Sequence, residues 1–169
     1  DSADYYYVNK SSLPKVYGGF NTSLSWKGFD LSAIFAYSIG GYIYNRDITM
    51  ILHNGSLEGR DWSTEILKRW TPENRYTDVP ALSTTSNNWN SASTRFLQNN
   101  SYMRLKNLTL SYDLPKQWIS KLALSSVQVF VQGDNLFTIH RNQGLDPEQG
   151  ITGITYYRYP AMRTISGGI

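Results

Sequence analysis

The chain has 169 residues, of which 14% are aromatic and only 17% charged, with a net charge of +3 and no cysteine. A soluble domain averages about 25% charged residues. The few charges here are scattered rather than gathered into a basic run, so a nucleic-acid partner is not expected. Disulfides and thiolate metal sites are excluded, and no stretch approaches the ~18 consecutive apolar residues of a membrane helix, so any membrane role must use strands.

Val16, Gly18, Phe20, Thr22, Leu24 and Trp26 alternate with Tyr17, Gly19, Asn21, Ser23, Ser25 and Lys27. Successive side chains of a strand point to opposite faces, so this period of two predicts a strand over 16–27, longer than the usual ~5–6 residues. After a tight turn at Lys27-Gly28 the pattern resumes. Phe29, Leu31, Ala33, Phe35, Tyr37 and Ile39 stand against Asp30, Ser32, Ile34, Ala36 and Ser38. A second strand over 29–39, hence a hairpin, is predicted. Residues 40–100 break the alternation and are rich in Asn, Ser, Thr and Gly. One helix is expected inside them, capped by Asp61, with Trp62, Ile66 and Trp70 at i, i+4 and i+8 and Thr71-Pro72 as the stop. A connection this long is uncommon in a compact domain and usually functional. Alternation returns over 101–114, where Leu108, Leu110, Tyr112 and Leu114 oppose Asn107, Thr109, Ser111 and Asp113, and Pro115 ends it. Lys116–Leu124 reads as a short turn with helical character. Val127, Val129 and Val131 alternate with Gln128, Phe130 and Gln132 in a strand over 126–137; a loop follows over 138–158, and a last strand over 162–169.

Strands that cross a bilayer need ~9–11 residues, one face to lipid and the other to the lumen. Four of the five predicted strands reach that length, and Trp26, Phe29, Tyr37, Tyr102 and Tyr112 fall towards strand ends, where aromatic girdles belong. The connections alternate short, long, short, long. Bacterial barrels have short periplasmic turns and long outer loops, so 40–100 and 138–158 are expected to be extracellular. The fold class expected is all-β, an antiparallel transmembrane β-barrel segment. Five strands cannot close a membrane barrel, whose smallest form has ~8, and an open edge in lipid costs several kcal/mol per unpaired group. The remaining strands are therefore expected from a longer natural chain.

Several segments resemble one family. Lys15-Val16-Tyr17-Gly18-Gly19-Phe20, Trp26-Lys27-Gly28-Phe29-Asp30-Leu31 and Arg69-Trp70-Thr71-Pro72-Glu73-Asn74 are similar to the late barrel of SusC/RagA-type TonB-dependent transporters. So are Tyr102–Tyr112, Gly133-Asp134-Asn135-Leu136-Phe137-Thr138, Gly144-Leu145-Asp146-Pro147-Glu148, and Tyr159-Pro160 with Arg163-Thr164. The resemblance covers nearly the whole chain. It implies the last five strands or so of a 22-stranded outer-membrane barrel of Bacteroidetes type. It further implies import of oligosaccharides or peptides with a SusD-like surface lipoprotein as lid, power supplied through TonB, and pairing of transporter–lid units into dimers. No plug domain or TonB-contacting segment is found in residues 1–169, so the parts that couple energy to transport are expected outside them.

Trp62, Trp70, Trp89, Tyr156 and Tyr157 are the candidates for contact with substrate or lid. For the Trp62/Ile66/Trp70 stripe, packing of the loop is favoured over stacking on sugar rings, because periodic aromatics usually form cores. Trp89 and the Tyr156–Tyr159 cluster lack that periodicity. Asp146 and Glu148 offer oxygen ligands without the spacing of a calcium loop, and a turn built on Asp-Pro is the preferred reading. Asp61 and Glu65 read as a cap and a first-turn acid rather than a catalytic pair. His53 and His140 lie among no other ligand candidates. No catalytic motif, metal site or cofactor is expected. The alternative reading is a soluble β-sandwich carbohydrate-binding module, which would account for the aromatics but calls for ~7 short strands with turns every 8–12 residues.

Overall fold

The computed structural model describes residues 5–53, 57, 59–83, 91–120, 124–144, 146–148 and 152–169. They fall into two compact units. One comprises Leu13–Gly41, Asn99–Gln149 and Tyr159–Ile169, and the other Asp1–Ser12, Tyr42–Gln98 and Gly150–Arg158.

The first unit is a five-stranded antiparallel sheet of β1 (Val16–Trp26), β2 (Phe29–Ile39), β5 (Tyr102–Asp113), β6 (Gln128–His140) and β8 (Thr164–Gly168), paired in that order. It is a meander, in which each strand pairs with the next long strand along the chain. Trp26 pairs with Phe29 across a two-residue turn. Lys27 and Gly28 both have positive φ, 48° and 87°, a turn whose twist matches that of the flanking strands. The register carries the alternation across the sheet. Leu24 pairs with Leu31, Leu31 with Leu110, and Leu110 with Val131. One face therefore gathers Phe20, Phe35, Leu24, Leu31, Leu110, Tyr112, Val129, Val131 and Ile165. The other gathers Asn21, Ser23, Ser32, Asn107, Thr109, Gln132, Asp134 and Ser166.

The apolar face is open. Leu24 is 67% exposed, Val131 48% and Ile165 71%, and the Phe20 and Phe35 rings stack on it with centroids 4.7 Å apart. Burying such a face stabilises by about 25 cal/mol per Å²; exposed to water it would be an aggregation site with two free edges. At about 3.3 Å per residue and a tilt near 40°, strands of this length span roughly 28–33 Å, enough for a hydrocarbon layer. The soluble-sandwich alternative fails here: the sheet is built of strands of 11, 11, 12 and 13 residues rather than many short ones.

Phase is interrupted once. Ile34 and Phe35 of β2 are consecutive, but their partners on β5 are Asn107 and Leu105, so Lys106 is an extra residue. At the same level β6 places Asp134 opposite Asn107 and Phe137 opposite Leu105, with Asn135 left-handed at φ 52°. The two irregularities form bulges, which bend a strand and sharpen its twist. They leave Tyr102, Arg104 and Asn107 on the polar face together.

The connection 116–124 contains the expected helical turn, α2 (Lys116–Ile119). The expected structure of residues 40–100 is corrected. The second unit holds β3 (Tyr42–Asn45), α1 (Arg46–Ile51) and β7 (Ile154–Thr155), and a three-stranded sheet of order β4-β3-β7 with β4 at Leu97–Asn99. β3 and β7 pair in parallel, Tyr44 with Ile154 and Asn45 with Thr155. Its buried side chains include Ile43, Phe96, Ile66 and Val79. The helix expected from Asp61 is a 3-10 turn over Thr64–Lys68, and Ser63 caps it by accepting from the Glu65 N–H. Asp61 lies two positions before that cap, outside the N-cap position whose side chain accepts from the first free N–H groups. The turn stops at Lys68 because Asn74 and Thr77 donate to the Lys68 carbonyl, and Asn74 also to that of Arg69.

Candidate functional site

The densest polar arrangement lies on the polar face of the sheet. Arg104 is 3% exposed, an unfavourable place for a guanidinium unless its donors are matched. They are. Nε donates to Thr138 Oγ1 of β6 at 3.0 Å, one terminal nitrogen to Glu148 Oε2 at 2.7 Å, and the other to Asp146 Oδ1 at 2.5 Å. Asp146 also accepts from the backbone N–H of Glu148 at 2.9 Å and of Ala161 at 2.6 Å. Lys106, the extra residue of the β5 bulge, donates to both oxygens of Glu148 at 2.6 and 2.5 Å. Burial alone would push the Asp146 carboxyl up. The N–H groups of Ala161 and Glu148 and the Arg104 guanidinium outweigh it, so the carboxyl is held below its ordinary value. Nearby, Asn100 donates to the Pro147 carbonyl at 2.9 Å and Asn142 to Asn100 Oδ1 at 3.0 Å. Asp146-Pro147-Glu148, expected to be a turn, is thus also one half of a buried ionic clasp.

The second unit has an open cleft of about 420 Å³, lined by Tyr44, Arg46, Thr49, Met50, Leu57, Ala92 and Ile154. Arg46 lies over the Tyr156 ring, 4.7 Å from its centroid. Tyr156 packs on Tyr157 with centroids 4.2 Å apart. Asp47 accepts from the Tyr157 N–H at 3.0 Å, and Arg60 donates to the Tyr157 hydroxyl at 3.1 Å. Burial raises the Tyr44 hydroxyl's pKa, against the pull of Arg46 and a hydrogen bond from the Ser93 backbone, so it is a neutral hydrogen-bonding group at physiological pH.

The structure therefore brings Tyr156 and Tyr157 together. Among the described residues no ring contact joins Trp62 or Trp70 to them. Trp62 donates from Nε1 to His53 Nδ1 at 3.0 Å, and the buried residue of the expected stripe is Ile66, which packs on Val79. Trp70 is 44% exposed, and its backbone N–H bonds the Val79 carbonyl. Trp89 lies outside the described residues. Arg46, Arg60 and Arg104 were missed by sequence reasoning. For Arg104 a signal existed, since charged side chains within a strand, here Arg104 and Lys106, call for partners.

No family model matches the sequence. TonB-dependent receptor P3 of Formosa agariphila is 33% identical over 162 residues, covering 89% of this chain and 16% of that receptor. TonB-dependent receptor SusC of Bacteroides thetaiotaomicron is 28% identical over 170 residues, covering 100% of this chain and 16% of SusC. The chain thus spans about a sixth of the length of the curated relatives it matches. Solved structures of the RagAB peptide importer in its closed-closed and open-open states each align with a TM-score of 0.81 and 33% identity, over 95% of this chain and 17% of the importer chain.

A meander of membrane-length strands with one apolar and one polar face is a wall segment of an outer-membrane β-barrel. With those relatives, the chain belongs to the SusC/RagA-like TonB-dependent receptors, and its location is the bacterial outer membrane.

Proposed function

We propose that this wall segment serves a TonB-dependent importer that takes up oligosaccharides or peptides together with a SusD-like surface lipoprotein lid. The observation that carries the reading is the two-faced sheet: its polar face suits a hydrated passage and its apolar face suits lipid, in a chain 33% identical to a peptide importer of known structure. In this reading the earlier strands, the plug and the TonB contact come from the rest of the receptor. Connections 40–100 and 138–158 face outward, and Lys27-Gly28 faces the periplasm. The segment does no covalent chemistry. Tyr156 and Tyr157, with Arg46 and Arg60 beside them, are the groups proposed to meet substrate or lid, since tyrosine and arginine concentrate binding energy at interfaces.

The test is deletion of the full-length receptor in its native host. Growth on oligosaccharide or on peptide as sole nutrient should fail, and the tagged receptor should co-purify with a surface lipoprotein. Normal growth on both, with no lipoprotein recovered, would refute the reading.

A further inference from the structure

The connection after β6 looks, by length and composition, like a loop projecting from the rim. The contacts of Arg104 contradict that picture for its first part. We propose that Arg104 is a positioning residue that clasps residues 141–144 and 146–148 onto the polar face of the sheet, so that they are a fixed lining of the passage and not a free flap. The inference rests on the polar face being the lumen wall, as in the function proposed above.

Several observations carry it. Arg104 projects from near the start of β5, where the strand is paired on both sides, and its donors are divided between the neighbouring strand, at Thr138, and the returning segment, at Asp146 and Glu148. The side chains of Arg104 and Asp146 are 4% and 7% exposed, so water is largely excluded from the pair. Asp146 also binds the N–H of Ala161, which ties the outgoing segment to residues just before β8. Pro147 and Asn142, both buried, are pinned through Asn100 in addition. A buried ion pair is weak evidence of added stability, but fixing one arrangement among alternatives is its best-attested use. The charges also cancel, two cations against two carboxylates, so the lining offers no net charge to a passing solute.

The test uses the full-length receptor purified in detergent, with Asn142→Cys as reporter, because Asn142 is 4% exposed. Labelling by a hydrophilic maleimide is compared with and without the triple change Arg104→Met, Asp146→Asn, Glu148→Gln. That triple removes the clasp without leaving an unmatched buried acid. Heat-modifiable migration on gels shows that each barrel is folded. The expected result is slow labelling in the parent and labelling at least fivefold faster in the triple variant. Fast labelling in the parent, or less than a fivefold increase in the triple variant, would overturn the proposal. If the triple variant does not fold, Arg104→Lys, which keeps the charge but not the three-way donation, is judged by the same threshold. The readout needs no transport, so a failure of the import reading and a failure of the clasp are distinguishable.

Discussion

Replacing Asp146 by Asn keeps the side chain's shape while removing its charge and turning one acceptor atom into a donor. In the native arrangement one oxygen accepts from Arg104 and the Glu148 N–H, and the other from the Ala161 N–H. The amide can keep only one of those two sets. Removing one partner of a buried ion pair costs about 3–5 kcal/mol. Glu148 still engages Arg104 but is partly exposed, so the low end, about 3 kcal/mol, applies here. At 1.4 kcal/mol per factor of ten, the population in which the segment is detached should rise by roughly a hundredfold. Hydrogen exchange at the amides of Glu148 and Ala161 in the detergent-solubilised receptor measures this directly. Exchange there should quicken about a hundredfold, while amides of the β5–β6 ladder such as Leu110 and Val131 stay unchanged. A change below about threefold at Glu148 and Ala161 would refute the reasoning. Acid should act on the same bond. The Asp146 carboxyl is held below its ordinary value of 3.8, so its contribution is complete above that value and is lost only as pH falls through the lowered one. Exchange at Ala161 should therefore be as slow at pH 5 as at pH 7, once corrected for intrinsic rates.

Three further outcomes are expected. A Cβ at Gly19 would lie 2.8 Å from the Phe35 carbonyl oxygen, so Gly19→Ala must shift the β2 backbone, at about 1–3 kcal/mol, and the heat-modification midpoint of the receptor should fall; an unchanged midpoint would refute the clash. Trp62→Phe removes the donor to His53 Nδ1 at a cost of about 1–3 kcal/mol, so proteolysis of the 57–83 region should quicken while substrate uptake at low temperature is preserved; lost uptake with unchanged proteolysis would make Trp62 a ligand contact. Replacing Tyr156 and Tyr157 together by Ala should weaken lid capture by roughly thirtyfold, about 2 kcal/mol, measured by co-purification at graded salt.

The hairpin β1–β2 was legible in the sequence because its alternation is unbroken and its turn is two residues long. β5 was legible only from Asn107 onward in phase. Lys106, the bulge residue, reverses the pattern there, so Tyr102, Met103 and Arg104 could not be assigned to faces by counting. β6 runs three residues past the expected end at Phe137, because the left-handed Asn135 lets the strand absorb a bulge and continue to His140. The β3–β7 pairing was not legible, since it joins residues 110 positions apart in two-to-four-residue pieces too short to show a period. The clasp was hidden for the same reason: Arg104 meets Asp146 and Glu148 from 42 and 44 residues away. Tyr156 and Tyr157 were legible as a cluster, but the arginines that flank them come from elsewhere in the chain.

The two-residue link at Lys27-Gly28 bears on how such receptors can diverge. A strand shifted by one position turns every side chain to the opposite face. A one-residue slip of β1 against β2 would turn Ser23 and Ser25 to the apolar face and Leu24 to the polar one. Insertions between residues 57 and 83 cross no register of the sheet and leave both faces intact. Related receptors that differ in what they recognise are therefore free to change the length of the connection between β2 and β5, while the span from Val16 to Ile39 must keep its register. Loop grafting between such receptors should succeed at Gly41 and Asn100 and fail inside the hairpin.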